Sequence, residues 1–248
     1  RNFVFDKTRC NILIVDDSKT INKLLTKEFN KKNYTTFSAF SLKETREIIN
    51  KQNIDYLILD INLPDGKGFE DLKNTNTKIF ILTSQKDSVN RELSFKKGII
   101  DFIIKDTLLY KKIEQIIEMI EKVEKNKNET ILVVDDSYVI QEQLKDLLEN
   151  KNYNVLLASN EKEALDLIIK NPPDLMLLDI ELKKGNGIVF LQRNNNLIIS
   201  ELKIPVIIIG STIDIFTTRD SYKAGAVDII KKHFLIEEMN LKIDLWID

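Results

Sequence analysis

Three aspartates in the first half of the chain are placed so that they could bind a metal ion. Asp16 and Asp17 follow the apolar run 12–15, and Asp60 follows a second apolar run, 56–59. If both runs are neighbouring parallel strands, their carboxyl ends meet at one edge of a sheet and the three carboxylates converge. Two such charges about 4 Å apart repel by roughly 4 kcal/mol at an effective dielectric near 20. The cluster therefore needs a cation, and its oxygen donors suit Mg²⁺.

Two further residues carry complementary chemistry to the same edge. Thr83 follows the apolar run 79–82, and Lys105 follows the run 102–104. They add a hydroxyl and an ammonium beside the carboxylate of Asp60. A metal ion, an ammonium and a hydroxyl around one carboxylate are the groups that stabilise charge on a transferring phosphoryl group.

The chain contains an internal repeat with an offset of 119 residues, which takes position 16 to position 135. Beyond the middle of the copy the offset becomes 127, which takes position 105 to position 232, so the second copy holds an insertion of 8 residues within about 193–203. The pairs related by the two offsets are Asp16 and Asp135, Asp17 and Asp136, Asp60 and Asp179, Gly66 and Gly185, Gly68 and Gly187, Gly98 and Gly225, and Lys105 and Lys232. A period of this length indicates a duplicated domain.

Short apolar runs alternate with amphipathic helical patterns in each copy. Ile21, Leu24, Leu25 and Phe29 share the spacing of one helix face, while the apolar runs have the length of buried parallel strands. Five strands alternating with five helices predict a doubly wound α/β sheet in each copy. We expect the fifth helix of the first copy to span 107–125, a polar linker 126–129 to follow, and the last helix to run from Leu235 to Asp248.

Composition excludes several functional classes. Of the 248 residues, 43% are hydrophobic and 31% are charged, and the net charge of −2 gives no basic surface for nucleic acid. No apolar run approaches the roughly 18–20 residues of a membrane helix. The single cysteine, Cys10, excludes an intrachain disulfide, and we expect a cytoplasmic protein. Because the sequence does not begin with Met, we interpret it as part of a longer protein.

The acidic pair, the later Asp, the Thr and the Lys together resemble the response-regulator receiver family of bacterial two-component systems, twice over nearly the whole chain. The resemblance implies two flavodoxin-like (βα)5 domains, each with the strand order 2-1-3-4-5. On this basis we expect an N-terminal extension at 1–9, a first receiver at 10–125, a linker at 126–129 and a second receiver at 130–248.

The resemblance also implies roles in the first copy. Asp60 is the nucleophile that takes a phosphoryl group from the phosphohistidine of a sensor histidine kinase or a phosphotransfer protein. The ligands of Mg²⁺ are then Asp17, Asp60 and the carbonyl of Asn62, with Asp16 acting through a bound water. Thr83 and Lys105 bind the phosphoryl oxygens. Thr83 and Phe102 occupy the switch positions, and Asp106 stands where the family usually has proline.

The second copy keeps the acids and departs elsewhere. Asp135, Asp136, Asp179 and the carbonyl of Glu181 are its metal positions, and Lys232, rather than the adjacent Lys231, is its lysine. Gly210 replaces the threonine, Ile229 replaces the aromatic residue, and Lys183 and His233 stand where prolines are common. Ser211 or Thr212 could supply the missing hydroxyl if the loop shifted, so phosphorylation of Asp179 is left open. We interpret this copy mainly as an adaptor or homodimerisation domain.

No output domain is visible in the sequence, and there is no Gly-Gly-Asp/Glu-Glu-Phe cyclase signature. This part of the chain is therefore not itself expected to be an enzyme beyond its own phosphoryl transfer. Paired receivers resemble the input half of diguanylate cyclases, which suggests a cyclase domain in the longer protein. Two alternatives stay open: a phosphorylation-independent interaction scaffold, and a phosphohydrolase of the haloacid-dehalogenase type, which would require Asp-x-Asp rather than the adjacent pair found here.

Overall fold

The computed structural model describes residues 6–7, 10–66, 77–83, 98–105, 109–233 and 236–247. The chain forms two compact units, Arg1–Lys125 and Asn126–Asp248. None of the described helices combines the length and the hydrophobicity that a membrane span requires.

The first unit is built on a parallel sheet of five strands. The strands are β1 (Asn11–Val15), β2 (Thr35–Ala39), β3 (Tyr56–Asp60), β4 (Lys78–Thr83) and β5 (Ile99–Ile104), in the order β2-β1-β3-β4-β5. Every neighbouring pair is parallel. The central strand β3 is buried at all five positions, because helices cover both faces of a parallel sheet.

The described helices of this unit are α1 (Lys19–Lys31), α2 (Leu42–Lys51) and α3 (Leu109–Lys125). Leu25 and Phe29 of α1 and Ile116 and Ile120 of α3 are fully buried in one hydrophobic cluster with β1 and β3. The amphipathic spacing seen in the sequence therefore faces the sheet. Ser18 begins α1 by accepting a hydrogen bond from the backbone N–H of Ile21.

The second unit repeats this architecture. Its sheet has the order β12-β11-β8-β6-β7, which is the order 2-1-3-4-5 when its strands are counted from the start of the unit. The strands are β6 (Thr130–Val134), β7 (Asn154–Ala158), β8 (Leu175–Asp179), β9 (Glu181–Leu182), β10 (Gly185–Asn186), β11 (Val206–Gly210) and β12 (Asp228–Lys231). Strands β9 and β10, each two residues long, pair with each other as a separate antiparallel hairpin. The helices are α4 (Tyr138–Asn150), α5 (Glu161–Lys170), α6 (Gly187–Arg193), α7 (Ile215–Ala224) and α8 (Ile236–Trp246).

The insertion of the second copy forms a π-helix, Asn196–Glu201, that is part of the core. Ile198 is fully buried, and the side chain of Asn195 donates a hydrogen bond to the carbonyl of Ala224, 2.7 Å away, at the end of α7. Gly225 follows with a φ of 104°, a conformation that favours glycine. A Cβ at this position would lie 2.7 Å from the Asn195 amide nitrogen. The insertion therefore packs directly against the end of α7.

The predicted fold class and strand order are confirmed in both units. The fifth strand of the first unit begins at Ile99, whereas the apolar run in the sequence begins at Phe102. The run starts later than the strand because Asp101, exposed on this edge strand, interrupts the apolar pattern. The segment predicted as a linker begins with a 3-10 turn, Asn126–Asn128, whose first side chain donates to the carbonyl of Lys151. Several predictions fall on residues outside the described ranges: Gly68, the fourth helix of the first copy, Asp106, Thr107, Leu235 and Asp248.

Candidate functional site

The three acids of the first unit lie together at the carboxyl ends of β1 and β3. These strands are adjacent and parallel, with Val15 opposite Leu59, so the residues that follow them share one edge of the sheet. Oxygen atoms of Asp16, Asp17 and Asp60 all lie within 4.8 Å of one another. Asp16 and Asp60 are buried, whereas Asp17 is exposed.

Lys105 brings a positive charge into this first pocket. Its ammonium nitrogen lies 2.6 Å from Oδ2 of Asp16 and 2.6 Å from Oδ2 of Asp60. The backbone N–H of Lys105 donates to the carbonyl of Thr83, 2.7 Å away, which fixes the end of β5 beside the end of β4. Thr83 itself is fully buried at that end. The ends of four parallel strands thus supply the predicted carboxylates, ammonium and hydroxyl.

The charges of the first pocket perturb one another. Burial raises the pKa of Asp16 above its ordinary value, although Lys105 and the Ser18 backbone act in the opposite direction. Burial disfavours the ammonium of Lys105, yet contacts with Asp16 and Asp60 raise its pKa above the ordinary value. Two buried carboxylates, those of Asp16 and Asp60, therefore share the Lys105 ammonium, and burial still disfavours the charged form of Asp16.

Backbone and amide groups hold the acids in place. Oδ1 of Asp16 accepts from the backbone N–H of Ser18 at 2.9 Å, and Oδ1 of Asp60 accepts from that of Asn62 at 3.1 Å. The buried side chain of Asn22 donates to the carbonyls of Ile14 and Ala39, at 3.3 and 3.1 Å, and so ties α1 to β1 and β2. Sequence reasoning missed Asn22; its signal is an amide inside the apolar stripe of α1 that recurs as Gln141 at the repeat offset.

Asp65 is a second residue that sequence reasoning missed. Its carboxylate accepts from the backbone N–H groups of Leu42 and Lys43, at 2.9 and 3.0 Å, at the start of α2. The Leu42 N–H lowers the pKa of Asp65 below its ordinary value. The loop that carries Asn62 is thereby anchored to α2. A charged loop residue three positions after Asn62 gave no distinctive sequence signal.

The second unit assembles an equivalent pocket. Asp135, Asp136 and Asp179 place oxygen atoms within 4.8 Å of one another. The ammonium of Lys232 lies 3.0 Å from Oδ2 of Asp135 and 2.8 Å from Oδ2 of Asp179, whereas Lys231 is exposed. Burial raises the pKa of Asp179 above its ordinary value, although Lys232 opposes the shift. Burial also disfavours the ammonium of Lys232, but the Asp179 and Asp135 carboxylates raise its pKa.

The loops around the second pocket differ from those of the first. Gly210 ends β11 at the place that Thr83 occupies in β4, and Ile229 on β12 stands where Phe102 stands on β5. His233 has a φ of 66°, which the ring of proline cannot adopt. The backbone N–H of Lys183 donates to a carboxylate oxygen of Asp136.

The surroundings of the two pockets also differ by a cavity in the second unit. In the second unit Lys184 takes the place of Asp65, the residue whose carboxylate accepts from the start of α2 in the first unit. A cavity of about 460 Å³ lies instead between the start of α5 and the β9–β10 loop that contains Lys184. The Glu181 loop of the second pocket is therefore not anchored as its counterpart is.

The donors present fit a hard divalent cation. Both pockets offer carboxylate oxygens from three aspartates, the ligand type that Mg²⁺ prefers. Neither carboxylate oxygen of Asp179 has a hydrogen bond among the described residues, although both are buried and Oδ2 is paired with Lys232. Oδ2 of Asp16 is likewise paired with Lys105 without hydrogen-bond geometry. Buried carboxylate oxygens that lack donors can bind a cation.

Comparison with known proteins agrees with this geometry. The family model described as response regulator receiver domain matches residues 12–121 and again residues 131–244. Sporulation initiation phosphotransferase F of Bacillus subtilis is 36% identical over 112 residues, which are 45% of this chain and 88% of that protein. Transcriptional regulatory protein CrdR of Helicobacter pylori is 32% identical over 114 residues, 46% of this chain. The chain spans 52% of the length of CrdR.

Solved structures support the fold of the whole chain. A crystal structure described as a two-component system response regulator/GGDEF domain protein superposes with a TM-score of 0.75 and 23% identity. The superposition covers 96% of this chain and 97% of the other. At this level of identity the likeness is one of fold, and it extends over both units.

Proposed function

Since the chain belongs to the response regulator receiver domain family, with one match in each unit, we propose that its first unit is a phosphoacceptor and that Asp60 receives the phosphoryl group. The observation that carries the proposal is the position of Lys105, whose ammonium lies 2.6 Å from both Asp16 and Asp60 within the acidic cluster. We assign receiver domains to 10–125 and 130–248, with 126–129 between them.

The proposed reaction is the transfer of a phosphoryl group between side chains. A carboxylate oxygen of Asp60 attacks the phosphorus of a phosphohistidine on a sensor histidine kinase or phosphotransfer protein. A P–O bond forms as the P–N bond breaks, and the electron pair of the broken bond goes to the imidazole nitrogen. Hydrolysis reverses the modification: water attacks phosphorus, the P–O bond to Asp60 breaks, and the carboxylate and inorganic phosphate are released with a proton.

Each group of the first pocket has a proposed role. Asp17, Asp60 and the carbonyl of Asn62 would hold Mg²⁺ directly, and Asp16 would hold it through water. The cation, when bound, neutralises charge on the phosphoryl oxygens. Lys105 leaves its ion pair with Asp60 to bind a phosphoryl oxygen, and the Thr83 hydroxyl donates to another. Burial of these groups strengthens each contact because the local dielectric is low.

Phosphorylation then shifts a two-state surface. We propose that Thr83 follows the phosphoryl group and that Phe102, half-buried on the neighbouring edge strand β5, changes its packing with it. The surface proposed to shift is that of β5 and α3, together with the fourth helix expected from the sequence, which lies outside the described residues. The phosphoryl group can bias this equilibrium only as far as its contacts differ between the two states.

The second unit is proposed to act mainly as an adaptor or homodimerisation domain. Its metal positions are Asp135, Asp136, Asp179 and the carbonyl of Glu181, with Lys232 as the paired cation. Gly210 offers no hydroxyl, and Ile229 offers no aromatic ring to couple the pocket to a surface. Deletion of this unit should then impair assembly while leaving phosphorylation of Asp60 intact; an unchanged oligomeric state would count against the adaptor role.

The output of the longer protein is proposed by analogy. The structures that superpose over both units are described as response regulator/GGDEF domain proteins, which supports a diguanylate cyclase domain as the regulated partner. CrdR of Helicobacter pylori is named a transcriptional regulatory protein, so a transcriptional output is the second candidate for the longer protein.

Beryllofluoride, a mimic of a phosphoryl group on aspartate, tests the proposed function. In the full chain with Mg²⁺ we expect a saturable ¹⁹F signal of bound beryllofluoride that is lost in Asp60→Asn. Asp146→Asn, a matched change at an exposed carboxylate of α4, should keep the signal. Absence of binding, or binding that Asp60→Asn leaves unchanged, would refute the proposal and favour the phosphorylation-independent scaffold.

A further inference from the structure

The second pocket has a hydrocarbon group where the first has a threonine. A Cβ placed on Gly210 would lie 2.5 Å from the terminal Cδ1 methyl of Ile180 and 3.3 Å from its Cγ1. Atoms of real side chains do not approach so closely, so Ile180 occupies the space in which a side chain at position 210 would begin. Ile213, 3.7 Å from the same point, adds a second apolar neighbour.

The equivalent position of the first unit is arranged differently. Ile61 follows Asp60 as Ile180 follows Asp179, yet there Thr83 is present and fully buried. An isoleucine after the acceptor position is therefore compatible with a threonine at the strand end. The difference arises because Gly210 leaves a space that the Ile180 side chain fills. Ser211 and Thr212, the nearest hydroxyls in sequence, are both exposed.

The cation-binding part of the second pocket is nevertheless intact. Asp135, Asp136 and Asp179 keep their oxygens within 4.8 Å of one another. Both carboxylate oxygens of Asp179 are buried, and among the described residues Oδ2 is paired with the Lys232 ammonium at 2.8 Å, whereas Oδ1 has no hydrogen bond. A divalent cation needs such oxygens, whereas a phosphoryl group also needs donors for its own three oxygens.

We infer that the second pocket is a divalent-cation site from which Ile180 excludes a phosphoryl group. This inference rests on the proposed function, because it assigns only cation binding to the second unit, whereas the first unit is proposed to bind both the cation and the phosphoryl group. A phosphoryl oxygen directed at Gly210 would meet a methyl group instead of a hydroxyl and would be buried without a donor. Cation binding in the second unit is then independent of phosphorylation and leaves Asp179 unmodified.

The phosphoryl arm of the test uses Ile180→Val, which deletes the Cδ1 methyl alone. In the full chain, Asp60→Asn with saturating Mg²⁺ should show no bound beryllofluoride. Adding Ile180→Val and Gly210→Thr should restore saturable binding to one per chain, with tryptophan fluorescence as the check of folding. Ile61→Val, the matched change in the first unit, should not alter binding at Asp60.

The cation arm uses Mn²⁺, followed by its electron paramagnetic resonance. The Asp60→Asn chain should bind one more Mn²⁺ than the chain that carries both Asp60→Asn and Asp179→Asn. Equal Mn²⁺ binding by these two chains would overturn the inference. It would also be overturned by beryllofluoride binding to the Asp60→Asn chain, or by a folded repaired chain that binds none. The proposed function fails by a different result, namely that the Asp60→Asn chain binds as much beryllofluoride as the unsubstituted chain.

Discussion

Replacement of Lys232 by Met removes the ammonium that is ion-paired with two acids of the second pocket. The Lys232 ammonium pairs with Asp135 at 3.0 Å and with Asp179 at 2.8 Å, and all three side chains are largely buried. At an effective dielectric near 20, each pair attracts by roughly 5–6 kcal/mol before the cost of desolvation. Removing one partner of a buried ion pair typically costs about 3–5 kcal/mol, because the remaining charge is left uncompensated.

We therefore expect Lys232→Met to lower the unfolding free energy of the second unit by about 3 kcal/mol in the absence of divalent cations. Mg²⁺ should reduce this loss, since it supplies the counter-charge that the ammonium no longer provides. A ligand at about 100 times its dissociation constant stabilises the folded state by about 2.7 kcal/mol. Mg²⁺ also stabilises the unsubstituted chain, but there it must compete with the Lys232 ammonium for Asp135 and Asp179. The gain is therefore larger in Lys232→Met, and the deficit between the two chains should shrink at saturating Mg²⁺.

Urea unfolding followed by tryptophan fluorescence measures this quantity. Trp246 is the chain's single tryptophan and donates to Asp228 from α8, so its emission reports on the second unit. Lys231→Met is the matched control, because this exposed neighbour should change the unfolding free energy by no more than about 0.5 kcal/mol. A loss below about 1 kcal/mol, or one that Mg²⁺ leaves unchanged, would refute the reasoning.

Two further variants test the packing of each unit. Tyr56→Phe removes a hydrogen bond to Glu124 of 2.7 Å and should cost the first unit about 1 kcal/mol. Burial, with Glu124, raises the pKa of Tyr56 above its ordinary value, so the hydroxyl's contribution is complete below the unfolded-state pKa near 10 and is lost as pH rises further. Tyr56→Phe should therefore flatten the alkaline loss of stability, measured by circular dichroism; an unchanged slope would contradict this. Asn195→Ala removes the 2.7 Å hydrogen bond to Ala224 and should cost the second unit about 1 kcal/mol, whereas Asn196→Ala, at an exposed contact, should have no measurable effect by tryptophan fluorescence. Equal effects of the two asparagine changes would argue against stabilisation of the second unit by the contact between the insertion and the end of α7.

Much of the architecture could be predicted because the sequence repeats. The acids that follow two apolar runs, and the lysine after a third, recur at fixed offsets, and strand ends in a parallel sheet must share an edge. Strand β5 was harder to delimit, since an edge strand with Asp101 exposed does not form a continuous apolar run.

The details that distinguish the two pockets depend on tertiary contacts that no local pattern encodes. The replacement of threonine by Gly210 was evident in the sequence, but not that Ile180 fills the vacated space. The insertion near position 200 was located, but its π-helical form and the burial of Ile198 were not indicated by any local pattern. The left-handed conformation of His233 likewise depends on the loop around it.

Asp60 and Asp179 occupy equivalent positions but are expected to differ in phosphorylation. Treatment of the full chain with acetyl phosphate and Mg²⁺, followed by borohydride reduction of acyl phosphates and mass spectrometry of the peptides, reads both at once. We predict modification at Asp60, dependent on Mg²⁺, and none at Asp179. An unmodified Asp60 under these conditions, or a label that resides at Asp179 instead, would contradict this prediction.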